Sequence, residues 1–171
     1  MGPPTIKPRM TFLEKYFTSL LYIQISPQRI SLRNPRTGES ISEEPPIAIS
    51  TGPKAKVLGV GTEAGLAATV PGSIIINPFD HPRTLISDFT MAEQLFKAFL
   101  HRMSTHAGFL KPAPTIILHP QGDPEGGFTQ VERRALRELG LGAGAAQCLI
   151  YLGPELSDEQ LLSGNFTASE A

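Results

Sequence analysis

The chain reads as an α/β domain, a mixed sheet flanked by helices. Runs such as "LYIQI", "PPIAIS" and "TIILHP" are strand-like in their aliphatic and β-branched content. The early strands come as a group, and the later ones alternate with segments whose apolar residues recur at three-and-four spacing, the pattern of a sheet with helices packed on it. The length of 171 residues suits one domain with a single substantial core.

Residues 1–9 are Pro-rich and are expected to form an unstructured lead, followed by a single unit over 10–164. In "TFLEKYFTSLL", Thr11 and Glu14 have the spacing of a capping box, and Leu13, Tyr16, Phe17 and Leu20 fall on one helical face. A short amphipathic helix running into a strand is predicted, with core packing and lipid binding both open to it. "LYIQISPQRISLRNP" reads as two strands around "SPQ", and "NPRTGE" as a turn. "PPIAIS" and "KVLGVG" are further strands, "TEAGLAATVPG" is a brief helical turn, and the β-branched run of "SIIINP" predicts a buried strand.

"FTMAEQLFKAFLHRM" is the clearest helix. Ala92, Leu95, Phe96, Phe99, Leu100 and Met103 form its buried stripe, and Thr90 with Glu93 its predicted cap. "STHAGFLKPAP" is a loop carrying the pair Phe109 and Leu110, and "QGDPEGG" is a flexible connection after the strand "TIILHP". "TQVERRALRELG" is the next helix, with Val131, Ala135 and Leu139 expected inward and Gly140 at its C-cap. "AAQCLIYL" is a last strand, "SDEQLLSG" a final short helix starting at Ser157 and Gln160, and 165–171 a frayed tail.

Composition narrows the function. Net charge is −1 and Lys and Arg are scattered, so the footprint of a nucleic-acid binder is missing. The single cysteine, Cys148, lies in an apolar run, which suits a buried thiol in a reducing, intracellular setting. No apolar run approaches the roughly 18 residues that span a bilayer, and "MGPPTIKPRM" lacks a secretory core, which leaves peripheral attachment open. His81, His101, His106 and His119 show no metal-site spacing, and no nucleophile elbow marks a serine.

From "KVLGVGTEAGLAATVPGSIIINPFDHPRTLISDFTMAEQLFKAFLHRM" through "FLKPAPTIILHPQG" to "TQVERRALRELGLGAGAAQCLIYL", the chain resembles, in collinear order over about residues 10–155, the MreB family of bacterial actin-like proteins. The resemblance implies a single lobe of the actin-like, ribonuclease-H-like fold, with a small appended α/β subdomain over about 34–75. Family members are about twice this length and hold ATP between two lobes, so the second lobe, with its phosphate loop, is expected to be missing. The family opens on a D-x-G-T hairpin whose acid organises the metal and whose glycine lets amides approach phosphate. Here Gln24 stands for the Asp, Ser26 for the Gly, and Pro27 removes an N–H; Leu152, Gly153 and Pro154 stand where the family has E-E-P.

Glu132 matches the glutamate that positions the attacking water in the family, yet with Thr129 it also has the spacing of a capping box. Phe109 and Leu110 match a membrane-inserting pair, against which stands ordinary packing of a loop on the core. The resemblance therefore implies a binding module without enzymatic activity or cofactor, cytoplasmic and peripheral to the inner membrane. Its partners would be MreB-type filaments or the cell-wall elongation machinery, the membrane surface, or a second copy covering the face that normally meets the other lobe. The alternative is a cytoskeletal ATPase that binds Mg-ATP weakly or with a partner completing the site, for which Glu132 is the leading residue.

Overall fold

The computed structural model describes residues 19–104, 112–122, 124 and 126–168. The predicted lead, the N-terminal helix over 11–18 and the Phe109–Leu110 pair lie outside the described residues.

The strands are β1 (Leu20–Ile25), β2 (Ile30–Arg33), β3 (Ser40–Glu43), β4 (Ile47–Ser50), β5 (Val57–Val60), β6 (Ser73–Ile76), β7 (Thr115–Pro120) and β8 (Gln147–Ile150). The helices are α1 (Thr62–Ala67), α2 (Phe89–Ser104), α3 (Gln130–Gly142) and α4 (Asp158–Ser163). Five strands form the main sheet in the order β3-β2-β1-β7-β8, and three form a smaller sheet in the order β5-β4-β6. In the main sheet β1 pairs antiparallel with β2 and parallel with β7, and β7 pairs parallel with β8. The smaller sheet is antiparallel and carries α1.

β1 and β7 are covered on both faces, which explains their nearly continuous apolar sequence. Leu21, Ile23 and Ile25 turn to one side, onto Leu95, Phe96 and Phe99 of α2 and Leu136 and Leu139 of α3. Leu20 and Tyr22 turn to the other, with Ile117, Tyr151, Leu156 and Leu161 of α4. The buried stripe of α2 is the one its spacing predicts.

Several local expectations are corrected. Leu20 opens β1, opposite Thr115, and so does not share a helical face with Phe17. The cap of α2 is Asp88, whose carboxylate accepts from the Met91 N–H at 3.0 Å, while Glu93 pairs with Lys97 one turn on. In α3 the inward stripe is Leu136, Leu139 and Gly140; Val131 is 78% exposed. At about 100° per residue Val131 lies roughly 130° round the helix from that stripe. Gly140 is inside the helix, which runs to Gly142. β6 is an edge strand with Ile74 and Ile75 both substantially exposed, because β-branching reports strand preference and not burial. β3 is a strand the sequence does not announce, since "SISE" is polar. Beyond α4, Phe166 meets Tyr151 edge-on at 5.9 Å and Ala168 is buried.

Candidate functional site

Because β1, β7 and β8 are parallel, the loops after them, 26–29, 121–129 and 151–157, collect at one end of the sheet. β1 continues to β2 on one side while β7 leads to β8 on the other, and a crevice at such a divergence is where open α/β sheets bind ligands. Gln24, Ser26, Pro27, Glu132 and the Leu152–Pro154 stretch are all brought to this end.

Gln24 sits beside His119 in register, and its side-chain carbonyl accepts from the Ser31 hydroxyl at 3.2 Å. The hairpin that follows is closed by Ser26. Its N–H donates to the Arg29 carbonyl at 2.8 Å, and its Oγ accepts from the N–H groups of Gln28 at 3.3 Å and Arg29 at 3.0 Å. Pro27 has no N–H, and its carbonyl accepts from Asn77 Nδ2 at 2.7 Å. The three N–H groups of the turn are thus engaged within it. A concavity of amides converging on an anion needs backbone of alternating hand, and no described non-glycine residue has positive φ.

Glu132 is the third residue of α3. Its Oε2 accepts from the Thr129 N–H at 2.9 Å and from the Thr129 hydroxyl at 2.8 Å, while its own N–H donates to Thr129 Oγ1 at 3.2 Å. This is the reciprocal cap that the spacing predicts, and it follows two glycines in left-handed conformation, Gly126 (φ 82°) and Gly127 (φ 71°), which turn the chain into the helix. Glu132 also lines a cavity of about 260 Å³ with Thr84, Ile86, Phe89, Val131 and Ala135.

Behind the hairpin lies a polar group that sequence reasoning missed. Tyr22 and His119, neighbours across β1 and β7, are hydrogen-bonded through the Tyr22 hydroxyl and His119 Nδ1 at 2.5 Å. Burial lowers the His119 pKa, opposed by the Gly153 backbone and the charge of Glu155, and burial raises that of Tyr22. Burial thus favours the uncharged forms of both rings, and the Tyr22 hydroxyl also accepts from the Leu156 N–H at 3.3 Å. Arg33 stacks over the Tyr22 ring at 5.4 Å, donates to the Leu156 carbonyl at 2.7 Å and pairs with Asp158 at 3.3 Å. A Cβ at Gly153 would lie 2.6 Å from the Tyr151 hydroxyl oxygen, so glycine there serves packing. Only the strand register brings these groups together, since Tyr22 and His119 are 97 residues apart. Among the described residues no three His, Cys, Asp or Glu side chains gather as a metal ion requires.

Comparison with known proteins places the chain in a family. The MreB of Haemophilus influenzae, a cell shape-determining protein, is 31% identical over 142 residues, spanning 80% of this chain and 38% of that protein. The Escherichia coli K12 protein of the same description is 32% identical over 100 residues, 57% of this chain and 27% of its own length. The chain thus spans less than half the length of these relatives. Among solved structures, ADP-bound MreB5 of Spiroplasma citri superposes with a TM-score of 0.61 at 17% identity, over 79% of this chain and 38% of that one. A non-polymerising MamK mutant bound to AMPPNP gives 0.60 at 9% identity, over 80% and 41%. Both superpositions bear out the actin-like fold that the sequence resemblance implies. A sequence profile of the MreB/Mbl proteins matches residues 36–156, and the chain belongs to that family.

Proposed function

We propose that this chain is a binding module of the MreB cytoskeleton, acting in cell shape at the inner face of the cytoplasmic membrane without hydrolysing nucleotide itself. Its partners are MreB-type filaments or the elongation machinery. The observation that carries the reading is the β1–β2 hairpin. Phosphoryl transfer rests on metal and on backbone donors aimed at phosphate. In this chain the acid position is Gln24, committed to Ser31, and the amides of the turn are committed to Ser26 and Arg29. Mg-ATP does not fit such a hairpin, and Glu132 then acts as the cap of α3. The relatives' description as cell shape-determining proteins supports the setting.

Membrane contact in this reading falls to Phe109 and Leu110. Burying two such side chains contributes about 3–5 kcal/mol before ordering costs, weak for one copy and firm when many copies are arrayed. Lys111 adds a modest preference for anionic lipid. Equal co-sedimentation with anionic vesicles by the wild type and a Phe109→Ser, Leu110→Ser variant would remove that loop from the account.

Titration calorimetry with Mg-ATP tests the central claim. No heat of binding is expected, and a micromolar dissociation constant abolished by Glu132→Ala would establish the second reading, an actin-like ATPase with a weak or partner-completed site. That reading is favoured by one observation, the placement of Glu132 at the same sheet end as the hairpin.

A further inference from the structure

At the opposite end of the main sheet, where β1 and β7 begin and α2 and α3 finish, the described residues leave an open groove of about 490 Å³. Its walls are largely apolar, among them Leu21, Leu100, Met103, Pro114 and Ala143. Among the described residues, none of the candidate nucleotide-side positions Gln24, Ser26, Pro27 and Glu132 lines it. Ser19 does, so the chain enters β1 from the mouth of the groove.

We propose that the groove is the seat of this chain's own N-terminal segment, with Leu13, Tyr16 and Phe17 as the side chains that fill it. Chain length restricts the choice of occupant. Phe17 stands two residues before Ser19 and Tyr16 three, within about 7 and 11 Å at full extension. Neither aromatic ring reaches far from the mouth. Leu13, Tyr16 and Phe17 have i, i+3, i+4 spacing, which places them on one stripe of a helix and presents them to the groove together. The competing occupant is the 105–111 connection, whose flanks Ser104 and Pro112 also line the groove. Its large apolar residues, Phe109 and Leu110, are adjacent, and adjacent residues point to opposite sides of a strand and about 100° apart on a helix. The connection offers the groove one side chain at a time. The N-terminal segment offers three, and seated there it is part of the fold and withheld from lipid.

The chain contains no tryptophan, so Phe17→Trp in this chain of 171 residues is a sole tryptophan reporter. Without lipid, its emission is expected to be blue-shifted and poorly quenched by acrylamide. Adding Ala143→Lys, which places a charge in the groove wall, should raise quenching several-fold. Water-like emission without lipid, or emission indifferent to Ala143→Lys, would overturn the proposal. So would a blue shift seen only on adding anionic vesicles, which would make the segment a lipid element. Phe109→Trp protected while Phe17→Trp is exposed would assign the groove to the connection instead. A second arm leaves the wall uncharged: Phe17→Cys with Met103→Cys is expected to form a disulfide on mild oxidation, the buried Cys148 staying reduced, and failure to cross-link counts against the seat.

Discussion

Tyr22 and His119 meet only because β1 pairs with β7, and their meeting has a consequence for stability. Burial holds the folded-state pKa of His119 below its ordinary 6.5, so the unfolded chain takes up the proton first as pH falls. Folding stability is therefore intact above about pH 6.5, declines as pH drops from there toward the lowered folded-state value, and levels off below it. The urea midpoint should fall over that window, and His119→Gln, which cannot titrate, should flatten the slope. Equal slopes would show that His119 does not set it. Nothing in the local sequence marks these residues as partners. Ser26 is similar: "SPQR" announces a turn, but that the hydroxyl takes up the turn's own amides shows only once β1 and β2 are paired.

Helix α3 shows which element features are legible in sequence and which are not. Its start was readable because a capping box is a local, i to i+3 relation, and Thr129 and Glu132 close it as the spacing implies. Glu132→Ala should cost about 1 kcal/mol of stability, read as a lowered denaturant midpoint, whether or not any nucleotide is present. Unchanged stability would leave the carboxylate without its structural role. Of the expected inward row Val131, Ala135 and Leu139, Leu139 holds its place and Val131 does not, because an i, i+4 row drifts round the helix and off the contact, and Gly140 looks in sequence like a terminator. In the fold Gly140 is a contact residue: a Cβ there would lie 2.4 Å from Cys148 Sγ and 3.0 Å from Cys148 Cβ. Gly140→Ala should destabilise by about 1–3 kcal/mol despite alanine's better helix propensity. Cys148→Ala removes the nearer clash, so the double variant should lose less than the sum of the singles, and strict additivity would show that the two positions do not touch. The same thiol, its pKa pushed up to about 12 by burial, should resist alkylation until the protein unfolds.

At the scale of the molecule, collinear resemblance makes the α/β lobe and its appended part legible, while a polar fastening between its two sheets, added to their shared apolar core, is not, since it joins residues distant in sequence. Glu43 at the end of β3 reaches over Gly61 to accept from the Thr62 N–H at 2.8 Å, at the start of α1. Arg102 of α2 donates to Glu43 at 3.2 Å and to the Val60 carbonyl at 3.1 Å, pairs with Glu63 at 2.8 Å, and lies over the Phe99 ring at 5.2 Å. One guanidinium thus ties the main sheet, the smaller sheet and α2 together. Glu63 is mostly exposed and its pair contributes little, whereas the Arg102–Glu43 contact is mostly buried. Arg102→Met keeps much of the apolar stem but leaves Glu43 and the Val60 carbonyl without that donor, at about 2 kcal/mol. The loss should be local. Amide exchange is expected to quicken in β4, β5 and α1 while β1 and β7, buried on both faces, keep their protection. Arg102→Lys should restore only part of it, because an ammonium on a flexible stem does not reproduce the fixed fork that reaches carboxylate and carbonyl together. Uniform acceleration across both sheets would mean that the lobe opens as one body, and that Arg102 does not hold the smaller sheet separately from the rest.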